Sequence, residues 1–122
     1  MKVKTVIASA FIVGSGLFLV PGVASAALQD CDSNHMCMWA NNDFGVMIGE
    51  RPHNQATVVN LSSTNNDRMD SWANRSAQYA GCMFSDAGGA GDRQTMGLNS
   101  NDNNVSPLNS DEVTSWRTAN GC

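Results

Sequence analysis

The chain has 122 residues, with seven Lys and Arg against eleven Asp and Glu, a formal net charge of −4, and four cysteines. That length holds one small domain with a modest core. An acidic surface without a basic cluster repels phosphate backbones, which argues against nucleic acid and anionic membranes as partners and leaves cations compatible.

In chain order, the first predicted element is a secretory signal over residues 1–26. Lys2 and Lys4 form a basic start, Val6 to Val20 is an apolar run, and Ala24-Ser25-Ala26 supplies small residues for cleavage. A membrane anchor is the competing reading, but the run is short for a spanning helix of about 20 residues, and Pro21 and Gly22 end it. The secreted, extracellular domain is then expected to span 27–122, which is 122 − 26 = 96 residues. It contains no lysine: Arg51, Arg68, Arg75, Arg93 and Arg117 face eleven acids, so loss of Lys2 and Lys4 moves the net charge from −4 to −6.

All four cysteines, Cys31, Cys37, Cys82 and Cys122, lie in the exported part, where an even count reads first as two disulfides. Three connectivities are possible. The six-residue separation of Cys31 and Cys37 suits a local loop and favours pairing Cys82 with Cys122. Zinc is a weaker alternative, since no second closely spaced ligand pair exists and only His35 and His53 could help.

Apolar residues then come in short groups: Met36 to Trp39, Val46 to Ile48, Ala56 to Leu61, Tyr79 to Phe84 and Val113 to Trp116. Asn, Asp, Ser and Gly punctuate them, which predicts an antiparallel all-β domain. The fourteen asparagines fit tight turns, because Asn tolerates left-handed backbone. Asp67-Arg68-Met69-Asp70-Ser71-Trp72 recurs as Asp111-Glu112-Val113-Thr114-Ser115-Trp116 after 44 residues, and Cys37-Met38-Trp39 recurs as Cys82-Met83-Phe84 after 45. Landmarks that stay in phase mark a duplicated unit, with repeat one over about 37–75 and repeat two over about 82–120. Each repeat is expected to give a four-stranded Greek key, the two sheets packing face to face around Trp39, Trp72, Phe84 and Trp116. The six methionines after Met1 read as gap fillers in that core.

These paired blocks resemble the βγ-crystallin fold, whose repeats carry Asn/Asp-Asn/Asp-x-x-Ser/Thr-Ser. The copies here are Asn66 to Ser71, with Asp70 at the fifth position, and Ser110 to Ser115, with Ser at the first. The fold's aromatic hairpin, aromatic-x-x-x-x-aromatic-x-Gly, is matched by Trp39 and Phe44 with Gly45 one residue early, and by Phe84 to Gly91 with Gly89 at the inner aromatic position. The signal segment, the Cys31 to Cys37 loop and the stretch Asn66 to Asn74 are most similar to peptidase inhibitor family I36, secreted bacterial inhibitors of thermolysin-like zinc metalloproteinases. The resemblance implies a rigid, disulfide-braced loop that enters the cleft of a secreted metalloproteinase, and a monomeric inhibitor. The family's inhibitory loop lies between two nearby cysteines in the second half, whereas Cys82 has no close partner, so the inhibitory loop is left unassigned. Asp86 to Arg93 and Asn99 to Pro107 are the exposed candidates. Both are polar and without internal bracing, and Met96 and Leu98 are the nearest apolar residues.

The resemblance also implies calcium chemistry, although no cofactor is required for inhibition. A hard cation wants about six to eight oxygen ligands. One site would use the Arg68 carbonyl, Asp70 and Asp111; the other the Glu112 carbonyl, Thr114 and Asp67, with Ser71 and Ser115 structural. The same side chains could simply hold turn backbone. No His-Glu-x-x-His or Gly-x-Ser-x-Gly motif is present, and Cys31 or Cys37 beside His35 reads as a disulfide loop carrying a surface histidine, so no catalytic residue is assigned. Three classes of function follow: a secreted metalloproteinase inhibitor, a calcium-binding extracellular module, and an antimicrobial or killer-toxin-like protein. The acidic charge weighs against the last.

Overall fold

The computed structural model describes residues 28–105 and 110–122. The expected signal peptide, its cleavage point at Ala26 and Ala27, and Pro107 lie outside these residues. Eight strands appear in chain order: β1 His35–Trp39, β2 Met47–Pro52, β3 Val59–Asn60, β4 Ser71–Asn74, β5 Gly81–Phe84, β6 Arg93–Met96, β7 Ser100–Asp102 and β8 Ser115–Arg117. They form two four-stranded antiparallel sheets, β2-β1-β4-β7 and β3-β8-β5-β6. The protein is an all-β sandwich of two Greek keys, and among the described residues no helix is long and apolar enough to cross a membrane.

The expectation of one sheet per repeat needs correction. Each sheet takes three strands from one repeat and the third strand of the other: β7 joins β1, β2 and β4, while β3 joins β5, β6 and β8. The exchange stitches the sheets together, since neither repeat can complete a four-stranded sheet alone. It also explains why the strands can be so short. Turns close them at Asn34, Asp43, Asn54, Asp67, Asn99, Asp111 and Asn120, all with positive φ, and Phe44 is the one other non-glycine residue with positive φ among the described residues. Asn and Asp bear this conformation at less cost than other residues with a side chain.

Period-two alternation along each strand decides what reaches the core. Met36 and Met38 of β1 and Met83 of β5 point between the sheets with Ile48, Met69, Trp72, Met96, Val105, Val113 and Trp116. Five of the six methionines after Met1 therefore sit in this layer, where a flexible thioether fills an irregular gap. Trp39 and Phe84 were expected beside Trp72 and Trp116, and here the alternation overrides that expectation: each follows an inward methionine and so faces outward. Trp39 belongs to a second cluster with Cys31, Cys37, Phe44 and Ala73, and Leu28 and Met47 pack against it. Phe84 is buried beneath the guanidinium groups of Arg93 and Arg117, 6.0 and 5.7 Å from its ring centroid.

The second cluster is closed by the disulfide Cys31–Cys37, and a second bond joins Cys82 of β5 to Cys122. No cysteine is free among the described residues. Gly81 is required for close approach, because a Cβ there would lie 2.5 Å from Met36 Sδ and 2.8 Å from the Arg117 carbonyl oxygen.

Candidate functional site

The two motif loops grip each other about a pseudo-twofold. The Asp67 N–H donates to the Val113 carbonyl at 3.1 Å, and the equivalent Asp111 N–H donates to the Met69 carbonyl at 3.0 Å. The serine that ends each motif has a different task. Ser71 donates its hydroxyl to the Asn41 carbonyl (2.7 Å) and accepts the Phe44 N–H (3.1 Å). Ser115 donates to the Asp86 carbonyl (2.6 Å) and accepts the Gly89 N–H (3.0 Å). Both hydroxyls are thus spent on pinning the aromatic hairpin of their own repeat to its last strand. The correspondence also places Gly89 where repeat one has Phe44, whose ring stacks edge-on against Trp39 with centroids 5.0 Å apart.

The residues assigned to calcium meet in pairs. The Thr114 hydroxyl donates to Asp67 Oδ1 at 3.3 Å, and Ser110 donates to Asp70 Oδ1 through a short hydrogen bond. Asp111 lies against Asp70: its carboxyl is raised above the usual aspartate range by desolvation first, then by the charge of Asp70, a hydrogen bond with it and the charge of Asp67, with Arg68 opposing. The Arg68 guanidinium turns away to the Thr64 carbonyl (3.3 Å), leaving only its backbone for the role assigned to it. Glu112 is exposed, and its carbonyl has the same assigned role. Asp70 with Asp111 and Asp67 with Thr114 thus each bring two oxygen-bearing side chains together, and backbone carbonyls and water would have to complete either shell.

The exposed loops differ from expectation. The hairpin from Asp86 to Arg93 is braced throughout: Ser85 N–H and Asp92 carbonyl pair at 2.9 Å, Asp92 N–H bonds Ser85 Oγ at 2.9 Å, and Gly88 N–H bonds Asn60 Oδ1 at 2.9 Å. Part of the second candidate is a strand, β7, paired with β4. Met96 is fully buried in the core and cannot contact a partner. Leu98 is 51% exposed. It occupies the tip of the turn joining β6 to β7, where Ser100 Oγ donates to the Gly97 carbonyl (2.7 Å) and Asn99 N–H to the Ser76 carbonyl (2.9 Å). Beside this turn runs a polar groove of ≈ 390 Å³ lined in part by Leu28, Gln29, Arg75, Asn99, Ser100 and Asn101.

Two histidine contacts among the described residues are occupied by structural roles. The thiols beside His35 are tied in a disulfide. His53 Nδ1 lies 2.8 Å from Ser76 Oγ, but that oxygen is buried and accepts the Gln78 and Tyr79 N–H groups at 3.1 and 3.0 Å. A nucleophile needs access and a free lone pair, so this pair fastens a turn.

The interlocked Greek keys, the serine-pinned hairpins and the paired motif loops give the chain a βγ-crystallin-like fold. Solved structures agree on the fold: a βγ-crystallin from Ciona intestinalis is 22% identical over 69% of this chain and 98% of its own, with a TM-score of 0.55. A βγ-crystallin domain from Flavobacterium johnsoniae is 19% identical over 74% and 99%, with a TM-score of 0.55. A domain from work on the evolution of the eye-lens βγ-crystallin fold is 14% identical over 71% and 87%, with a TM-score of 0.58. Residues 24–81, a stretch that takes in the disulfide loop and the first repeat, match the model of peptidase inhibitor family I36. Among curated proteins none matches the chain.

Proposed function

We propose that the protein is a secreted inhibitor of a thermolysin-like metalloproteinase, and that Leu98 is the side chain it offers to the cleft. The family match over 24–81 supports a peptidase inhibitor. The observation that carries the finer reading is the exposed leucine at the tip of a turn fixed on both shoulders. Strands β6 and β7 belong to different sheets, so both halves of the sandwich hold this turn. A thermolysin-like cleft favours a bulky apolar side chain beside the cleaved bond, and a segment ordered before binding loses little entropy on entering it. Such a complex outlasts productive turnover.

Leu98→Ala tests this assignment. Exposed as it is, Leu98 contributes little to stability, so the melting temperature should stay unchanged while inhibition of a thermolysin-like enzyme weakens by ~30-fold, the loss expected for an anchor worth about 2 kcal/mol. Undiminished inhibition would move the contact to the hairpin from Asp86 to Arg93.

A second reading is favoured by the meeting of Asp70 with Asp111 and of Asp67 with Thr114: a calcium-binding extracellular module. Bound calcium should raise the melting temperature by mass action. Asp111→Asn should remove that rise. Without calcium the same substitution should stabilise the fold near neutral pH, because the raised carboxyl of Asp111 means its ionised form is disfavoured in the folded state. Stability from this residue is fully present below the ordinary aspartate pKa and is lost as pH rises through the folded value, so the gain from Asn should vanish in acid. Thermal melts across pH, with and without millimolar calcium, read all three effects.

A further inference from the structure

The Cys31–Cys37 loop brings together donors that neither the inhibitory turn nor the motif loops use. Carboxylate oxygens of Asp32 and Glu50 and a ring nitrogen of His35 all lie within 4.8 Å of one another. Three features hold them there. The disulfide closes the loop that carries Asp32 and His35, while register pairs Cys37 with Glu50 on β2. The Asp32 N–H donates to Glu50 Oε2 at 3.0 Å, tying loop to strand. His35 Nδ1 lies 3.0 Å from the Ser33 carbonyl oxygen. A carbonyl can only accept, so Nδ1 is the donor in this contact and Nε2 is the nitrogen left for a metal, the arrangement that backbone carbonyls impose on metal-binding histidines.

Two arginines close to the site, Arg51 and Arg75, direct guanidinium donors to other groups. Arg51, next in sequence to Glu50, spends its guanidinium on Gln55 Oε1 and the carbonyls of Trp116 and Thr57. Arg75 donates to the Cys31 carbonyl. One imidazole nitrogen and two carboxylates are too few for calcium, which prefers oxygen and about six to eight ligands. They match three-quarters of a tetrahedral zinc shell, with water in the fourth place. Such an ion holds its ligands about 3.4 Å apart at bonds of about 2.1 Å, and the exposed Glu50 side chain can swing to close the difference.

We propose that Asp32, His35 and Glu50 form a surface site for a first-row divalent cation of the zinc type, which clamps the disulfide loop to the β1–β2 hairpin. The site stands apart from the inhibitory reading and does not depend on it. Zinc chloride titrated calorimetrically into the disulfide-intact protein should show one ion per chain with micromolar affinity. His35→Ala and Glu50→Gln should each weaken binding by at least about tenfold, a scale typical even for groups that only support a metal ligand. Should His35→Ala fold poorly, Glu50→Gln on an exposed residue carries the test alone. His53→Ala and the Asp70→Asn/Asp111→Asn pair should bind zinc as the parent does. Zinc binding that survives Glu50→Gln, that is lost with Asp70 and Asp111, or that is absent at high micromolar zinc would overturn the assignment.

Discussion

Trp116→Ala should cost about 3–5 kcal/mol, the range for deleting a large aromatic from a packed core. Trp116 is 2% exposed and sits in the middle of β8, between Val59 of β3 and Met83 of β5. Its ring crosses to the other sheet: a Cβ on Gly49 of β2 would lie 3.2 Å from Trp116 Cζ2, so Gly49 leaves the space that the indole fills. Arg51 caps it from the same strand, its guanidinium carbon 5.4 Å from the ring centroid and one N–H on the Trp116 carbonyl at 3.0 Å. Truncation therefore opens a void between the sheets and strips the cation of its aromatic partner. For a domain of this size the melting temperature should fall by more than about 12 °C, at about 4–8 °C per kcal/mol. A melt within a degree or two of the parent would mean that the layer between the sheets is packed by other residues.

The two disulfides should contribute unequally. On the chain-entropy account, stabilisation grows with the logarithm of the loop closed in the unfolded chain. Cys82–Cys122 spans 40 residues and Cys31–Cys37 spans six. The long bond should then be worth about 4 kcal/mol and the short one about 2 kcal/mol. Replacing Cys82 and Cys122 together by Ala should lower the midpoint of denaturant unfolding roughly twice as far as replacing Cys31 and Cys37. Equal losses would show that the short loop stabilises chiefly by covering Trp39, Phe44 and Ala73 on the outer face of its sheet.

What the sequence made legible was whatever the duplication wrote twice. Ser71 and Ser115 recur because each hairpin needs one hydroxyl to satisfy a carbonyl and an N–H, and Asp67 and Asp111 recur because each must take positive φ while its N–H reaches the opposite loop. Strands β6 and β7 were illegible. Arg-Gln-Thr-Met and Ser-Asn-Asp carry no alternating pattern, because both strands lie at sheet edges with one side in solvent. The exchange of β3 and β7 was hidden as well, since nothing local in the two residues of β3 or the three of β7 says which sheet they join. Trp39 and Phe84 misled through their size: burial was correct, but the face was set by the methionine that precedes each. The cluster of Asp32, His35 and Glu50 depends on the β1–β2 register, which a bulge at Met38 and Trp39 shifts, and no spacing rule brings Glu50 to the loop.

The most direct measurement is a titration of the disulfide-intact protein, freed of residues 1–26, against a thermolysin-like metalloproteinase with a small peptide substrate. Inhibition should saturate near one protein per enzyme at submicromolar concentration, and Leu98→Ala should shift the curve without lowering the melting temperature. No inhibition at micromolar concentration, with the fold and both disulfides verified, would contradict the inhibitory account and leave the calcium-binding module as the function to pursue.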